Sequence, residues 1–262
     1  MKAEAAMGAE GLDRRRFLAR AAAGVTTMLL GACDKLSESR WFPRILGSAE
    51  AVNKGAQRAI TGQEALAREF TEADISHDFK SNGTQEPDDP AYQKLMKGGF
   101  KNWRLEVGGL VERPGKFSLS ELRALPSRTQ ITRHDCVEGW SCIGKWKGAK
   151  LAALLDKVGV RPEARYVVFF CADAMDVSGD KYYESIDLAT AYHPQTILAY
   201  EMNDQTLPVP YGAPLRLRNE RQLGYKMPKY IMRIELVTSF AKIGGGNGGY
   251  WEDQGYEWYA GI

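Results

Sequence analysis

The sequence predicts an α+β fold of mixed sheets with short helices and irregular loops. Three observations carry that prediction. The apolar runs that read as strands are short and set apart by turn-rich loops. The helical stripes are just as short, and strands and helices do not alternate as regular βα units, which argues against a doubly wound sheet. No Gly-x-Gly-x-x-Gly follows a strand and no Walker loop is present, so a nucleotide fold has no support.

Taken in order, Gly62–Arg68 is compatible with a short helix, and residues 81–91 read as a loop because turn formers crowd them. Trp103–Val107 alternates apolar and polar residues, the period of a half-buried strand. Arg113-Pro114-Gly115-Lys116 is a turn. Ser118 and Glu121 stand at capping-box spacing and open a short helix that runs through Leu125. Thr129–His134 reads as a strand leading to Cys136, and Lys150–Val158 carries a helical apolar stripe. Tyr166–Cys171 is a buried strand by its continuous apolar run. Ile197–Met202 and Tyr230–Val237 complete the strands.

Composition narrows the function classes. The chain has 262 residues, 44% of them hydrophobic and 26% charged, enough for a sizeable core and ordinary for a globular protein. A formal charge of +2 is too balanced for a broad nucleic-acid surface, so no nucleic-acid partner is expected. The 4 cysteines are too few for a disulfide scaffold, and the 3 histidines (His77, His134, His193) include no pair at zinc-ligand spacing.

Residues 1–33 read as an address. Arg14-Arg15-Arg16-Phe17-Leu18 precedes a short apolar run ending at Leu30. A membrane span needs ~20 residues, so the run suits a signal-peptide core better. The paired arginines before Phe17-Leu18 resemble the twin-arginine export signal. Leu30-Gly31-Ala32-Cys33 resembles a bacterial lipobox, which would acylate Cys33. The expected organisation is therefore a signal segment at 1–33, a polar linker at 34–69 and one domain at 70–262. The expected location is the periplasm, with a membrane anchor if Cys33 is acylated.

Three stretches can carry chemistry. Arg133-His134-Asp135-Cys136-Val137-Glu138-Gly139-Trp140-Ser141-Cys142 brings a cysteine out of a strand into a loop. A thiolate there is a soft metal ligand or nucleophile, and Arg133 or His134 would lower its pKa. A Cys136–Cys142 disulfide or a buried small side chain fits the same residues. Pro208–Lys229 gathers Arg216, Arg218, Arg221, Lys226 and Lys229 on a backbone stiffened by Pro and Gly. A rigid arginine fork suits a phosphate or other oxyanion, and a solvated basic face is the alternative. The segment Ile243–Ile262 is a Gly-rich arm ending in aromatics, which either walls a pocket or seals the core.

Cys136-Val137-Glu138-Gly139-Trp140 with Trp146-Lys147-Gly148 resembles the cofactor-cysteine loop of the sulfite oxidase family of molybdopterin-dependent oxidoreductases. Leu198–Asn203, then Leu207-Pro208 and Gly212–Leu217, is similar to that family's second signature, and Lys229–Ile234 to its third. The resemblance covers about residues 70–262, is closest to exported bacterial members, and implies the sulfite-oxidase molybdopterin-binding fold. It implies a molybdenum–molybdopterin cofactor, with Cys136 as the thiolate ligand of the metal. It implies that Arg216, Met227, Pro228 and Lys229 bind the pterin's phosphate, and that Cys171 lines the metal side. It further implies pterin contacts from His77, Lys80 and Ser81, and from Tyr211, where bacterial members place an asparagine.

The implied activity is two-electron oxygen-atom transfer on a small-molecule or protein sulfoxide or on a sulfite-type substrate. The sequence holds no Cys-x-x-Cys-His haem motif and no four-cysteine iron–sulfur pattern. A separate haem protein of the membrane or periplasm is therefore the expected electron partner. An exported lipoprotein that binds an oxyanion or a protein without catalysis is the alternative. A thiol redox protein using Cys136 and Cys142 ranks below both, because their spacing is not Cys-x-x-Cys.

Overall fold

The computed structural model describes residues 42–62, 64–175 and 179–262. The expected address at 1–33, Cys33 and the first part of the expected linker lie outside them. The chain divides into two compact units, Met1–Asn53 and Lys54–Ile262, and every feature below residue 54 onward belongs to the second. Among the described residues no helix is long and apolar enough to cross a membrane.

The first helix, α1, spans Phe42–Thr61, and Gly62 closes it by donating its N–H to the Arg58 carbonyl at 3.0 Å. The helix expected at Gly62–Arg68 does not form. Gln195 holds that stretch open from the side: its Oε1 accepts from Ala67 N at 2.7 Å and its Nε2 donates to Ala67 O at 3.0 Å. The expected loop at 81–91 gives way to a helix, α2 (Pro90–Lys97), that the sequence reading did not anticipate. Its start is conventional: Asp89 accepts from Tyr92 N at 2.8 Å, and Pro90 sits in the first turn, where a missing N–H costs nothing.

Most of the other expected elements form where the pattern places them. β1 (Arg104–Gly109) buries Leu105 and Val107 and exposes Arg104 and Glu106, as its alternation requires. β2 (Gly115–Ser118) leads into α3 (Leu119–Arg123), whose capping box is present: Ser118 Oγ accepts from Glu121 N, and Glu121 Oε2 accepts from Ser118 N at 2.8 Å. β3 (Ser127–Asp135) and β4 (Ser141–Lys150) pair as a hairpin, α4 is Leu151–Val158, β5 is Tyr166–Ala174 and β6 is Lys181–Asp187. Then come α5 (Leu188–Ala191), β7 (Ile197–Met202), β8 (Gln205–Thr206), β9 (Arg216–Arg218), β10 (Ile231–Val237) and α6 (Tyr250–Asp253).

Two sheets result, one ordered β2-β1-β10-β5-β6, the other β3-β4-β7-β8 with β9 also on β7. Among the described residues, only β1 and β10 pair in parallel. One core, including Trp103, Leu154, Phe169, Leu198 and Ile234, draws on both sheets and on α4. Each fully buried side chain of that kind contributes about 1.5–3 kcal/mol.

The topology fixes where a site can be. β5 runs antiparallel to both β6 and β10, so the end of β5, the start of β6 and the approach to β10 meet at one edge of the first sheet. The turn of the β3–β4 hairpin arrives there from the second sheet.

Candidate active site

A cavity of about 150 Å³ opens at that edge. The hairpin turn supplies Cys136, Val137 and Glu138; β5 supplies Asp173; and the approach to β10 supplies Met227, Pro228 and Lys229. Cys136 begins the turn, with its N–H on the Trp140 carbonyl at 2.9 Å and its carbonyl accepting from Gly139 N at 3.0 Å. Those two bonds hold the thiol in a fixed loop at the cavity wall.

The thiol's surroundings are not those expected. Burial, and then the charge of Glu138, push the Cys136 thiol up from its ordinary value. Arg133 does not help it, being exposed and paired with Asp135 at 2.8 Å. His134 does not help either. It is fully buried, and burial together with Arg218 and Arg216 holds its imidazole neutral, far below the usual histidine range. Burial thus disfavours a free thiolate at Cys136, which a coordinating metal ion would favour. Cys136, Cys142 and Cys171 are all free thiols, so the alternative disulfide is not formed.

Gly224 is the residue that lets this region close. A Cβ there would stand 2.4 Å from His134 Nε2, closer than any side chain tolerates. The glycine allows the 3₁₀ turn Gly224–Lys226 to lie against the hairpin and present Tyr225 and Met227 to the cavity.

The basic cluster separates into unlike members. Arg218 is fully buried and paired with Glu220, and its NH1 meets His134 Nδ1 at 3.0 Å. Lys226 is buried between Glu184 and Glu252. Arg221 lines a different, smaller hollow with His193 and Asn219. Arg216 and Lys229 remain. Arg216 lies behind Met227, donating to the carbonyls of Tyr211 at 3.0 Å and Met227 at 3.4 Å, with Nε lacking any partner among the described residues. Lys229 reaches the carbonyls of Asn82 (2.6 Å), Pro210 (3.0 Å) and Thr84. Burial, then the charge of Arg218, push Arg216 down to about 9. Burial, then Arg216, push Lys229 down to about 7.

Lys229 thereby ties the 82–84 loop into the cavity wall, where Asn82, Gly83 and Thr84 are exposed to it. The expected early-loop contacts His77, Lys80 and Ser81 are not among the residues that line this cavity. Ser81 instead donates to Pro210 O at 2.7 Å, and Lys80 lies 60% exposed over the Trp140 ring. His77 is 97% exposed and, with Tyr211, lines a second cleft. Tyr211 OH donates to Phe79 O at 2.7 Å, pinning the same loop from its other side. Cys171 does not reach the cavity; it packs in the core, and burial holds its thiol well above the usual range.

Asp173 escaped the sequence reading. It is 4% exposed, lines the cavity, and its Oδ1 has no partner among the described residues. Burial pushes its carboxyl up to about 6. The signal was present: an acid inside an otherwise apolar strand is a position where burial needs a reason. Tyr182, Tyr225, Trp251 and Tyr256 close the remaining wall.

Known proteins share much of this chain. A family model, the oxidoreductase molybdopterin binding domain, matches residues 93–242. YedZ1 of Azospira oryzae, whose name proposes a protein-methionine-sulfoxide reductase subunit, is 40% identical over 248 residues, covering 95% of this chain and 87% of that one. The protein-methionine-sulfoxide reductase catalytic subunit MsrP of Xanthomonas axonopodis pv. citri is 35% identical over 170 residues, 62% of this chain and 52% of that one. The match thus spans about half the length of the Xanthomonas protein. MsrP of Ralstonia nicotianae is 30% identical over 234 residues, 86% of this chain and 69% of that one. Among solved structures, the sulfane dehydrogenase SoxCD of Paracoccus pantotrophus aligns with TM-score 0.47 and 23% identity, covering 53% of this chain and 39% of that one.

Proposed function

The chain belongs to the molybdopterin-binding oxidoreductases and is an enzyme of that class, and from this premise we propose that it reduces a neutral sulfoxide by two-electron oxygen-atom transfer. One observation carries the reading. A cavity-lining thiol, Cys136, shares the cavity with Lys229, and Arg216 lies buried behind the lining Met227; both basic side chains have main-chain carbonyls as hydrogen-bond partners.

The residues fit a molybdenum–molybdopterin. Cys136 would hold the metal, a soft ligand for a high-valent ion. Arg216, Lys229 and the Met227–Pro228 main chain would hold the phosphate, for which a planar guanidinium and an ammonium are the natural donors. The Oδ1 of Asp173 is an unpartnered polar atom at the cavity wall, and the Nε of Arg216 is a second one, buried behind Met227. When bound, the molybdenum supplies the redox step, in which a sulfoxide plus two protons and two electrons gives a thioether and water.

The protein's own residues then bind, orient and shield. Met175, Tyr182, Tyr225, Trp251 and Tyr256 give the cavity a largely apolar wall. Asp173 can hold a proton at its unpartnered Oδ1 at the cavity wall. The acid Glu138 at the wall disfavours a small anion such as sulfite, while Lys229 is turned toward carbonyls. A neutral substrate meets no such penalty.

The electrons are proposed to come from a separate haem protein at the membrane or in the periplasm, since the sequence provides no haem or iron–sulfur motif of its own. Export in the folded state is proposed from the twin-arginine motif, and anchoring from Cys33.

Elemental analysis with paired assays tests the reading. Folded protein from a host that makes the cofactor should carry about one molybdenum per chain and oxidise a reduced viologen when a sulfoxide is added. Sulfite with a dye acceptor should turn over far more slowly. Absence of molybdenum would overturn the cofactor assignment, and a preference for sulfite would overturn the substrate class.

A further inference from the structure

The family model stops at residue 242, but the cavity wall continues past it. Trp251 and Tyr256 both line the cavity, stacked on each other with ring centroids 5.3 Å apart and planes at 27°. Tyr225 meets Tyr256 edge-on at 5.3 Å. The mouth is open on this side, Tyr256 being 38% exposed and Val137, beside Cys136, 46% exposed. The matched domain therefore supplies the thiol, the cations and part of the aromatic wall, and the segment beyond it completes that wall with Trp251 and Tyr256.

A single buried cluster fastens that surface. Lys226, between Tyr225 and Met227, pairs with Glu184 on β6 and with Glu252, the neighbour of Trp251. All three side chains are 0–1% exposed. Glu184 lies two residues from the lining Tyr182, so each aromatic wall element sits within two residues of a cluster member, Tyr256 through its stack on Trp251. The fit is close: Gly249 bridges Glu184 through the main chain, and a Cβ at Gly249 would stand 2.1 Å from Glu252 Oε2. Ser185 and Trp258 add a second fastening, Ser185 Oγ donating to Gly248 O and Trp258 Nε1 donating to Ser185 Oγ at 2.8 Å.

We propose that Trp251, Tyr256 and Tyr225 form the wall that selects the substituent beside the reacting sulfoxide, an aryl or extended apolar group, and that the Lys226–Glu184–Glu252 cluster is the positioning element for that wall. The proposal rests on the sulfoxide reading of the cavity. A flat apolar group gains from stacking and burial here, and a substituent too small to reach the wall gains nothing. Lys226 touches no substrate in this account; it acts through the aromatic residues that flank its partners.

The test compares methyl p-tolyl sulfoxide with dimethyl sulfoxide, by steady-state kinetics and by calorimetric Kd, on the molybdenum-loaded full chain. Trp251→Ala should raise KM and Kd for the aryl substrate about 10-fold or more relative to those for dimethyl sulfoxide. Glu252→Ala should reproduce that split, and Glu252→Gln, which keeps an acceptor for Lys226 Nζ, should restore selectivity. Glu252→Asp, which folds more readily and shortens the tether by one methylene, should give the same split in smaller measure. Equal losses for both substrates, or no loss for either, overturn the wall. A Glu252→Asp protein with wild-type selectivity, or failure of glutamine to rescue, overturns the positioning role. Wild-type protein without molybdenum or turnover would sink the sulfoxide reading instead, and the calorimetric comparison of the two sulfoxides would still decide the wall.

Discussion

Arg216 and Arg218 stand two residues apart on β9, both fully buried, with their guanidinium carbons 5.0 and 4.5 Å from the same Trp146 ring. The fold treats them in opposite ways. Arg218 has a carboxylate, Glu220, and a histidine. Among the described residues Arg216 has only carbonyls as hydrogen-bond partners, and one nitrogen with none. The same contrast recurs between Lys226, which has two carboxylates, and Lys229, which among the described residues has carbonyls alone. Taking a cation out of water costs several kcal/mol unless a counter-charge is supplied. Arg218 and Lys226 are neutralised within the chain and serve the structure. Arg216 and Lys229 are the two that an external anion would complete.

The comparison can be broken in four places. The largest effect belongs to the thiol that shares the uncompensated region. Cys136→Ser should reduce bound molybdenum by well over 10-fold, read by elemental analysis, because loss of a ligand exceeds the 10–100-fold typical of its supporting shell. Retention of the metal would remove Cys136 from the site.

Next come the compensated cations. Arg218→Met strands Glu220 in the interior and should destabilise the protein by about 3–5 kcal/mol in chemical denaturation. A smaller loss would mean that Glu220 finds another donor.

Arg216→Met should do the reverse. Cofactor-free protein should be no less stable than the parent, since no carboxylate is left unpaired, while cofactor retention falls by about 10–100-fold. Equal destabilisation by the two arginine variants would dissolve the distinction between them.

The smallest effect concerns the lone acid. Burial raises the Asp173 carboxyl to about 6 in the folded chain, so the folded state binds a proton that the unfolded state has released. Its contribution is fully present below pH 4 and is lost as pH rises through about 6, by about 3 kcal/mol. Asp173→Asn should flatten that part of the stability–pH profile. Asp187 is the internal control: burial raises its carboxyl, but Lys54 and Thr190 outweigh burial and hold it at about 2. Its contribution is lost instead as pH falls from about 4 toward 2.

Sequence could not separate these charges. Five basic residues between Arg216 and Lys229 look alike in a string, and only Glu220 lies near enough in sequence to suggest a partner. Glu184 and Glu252 come from a different strand and from the C-terminal segment, and no pattern links them to Lys226. Elements with a clear period, such as β1, α4 and β5, were legible because local alternation and global burial agree there. The capping box at Ser118 was legible for the same reason. The stretch 64–68 was not, because a distant glutamine, Gln195, decides its backbone. In the site, the Cys136 turn could be read from its residues. Asn82, Thr84 and Asp173 could not, since their placement follows from Lys229 and from how far β5 extends.

The hydrogen bond from Lys229 to Thr84 joins residues 145 apart in sequence. The other cavity residues come from equally scattered segments: the 136–138 turn, the end of β5, the approach to β10 and the 251–256 stretch. Closing loops of that length is entropically slow, and the contacts that reward closure arrive only at the end. A chain that has not made those long-range contacts lacks the complete cavity. A group that binds it stabilises only the finished chain, by an amount that grows with the logarithm of its concentration over its dissociation constant. Cofactor capture is thus a late kinetic checkpoint, and the rate at which molybdenum becomes resistant to chelation should report the rate at which the last long-range contacts form.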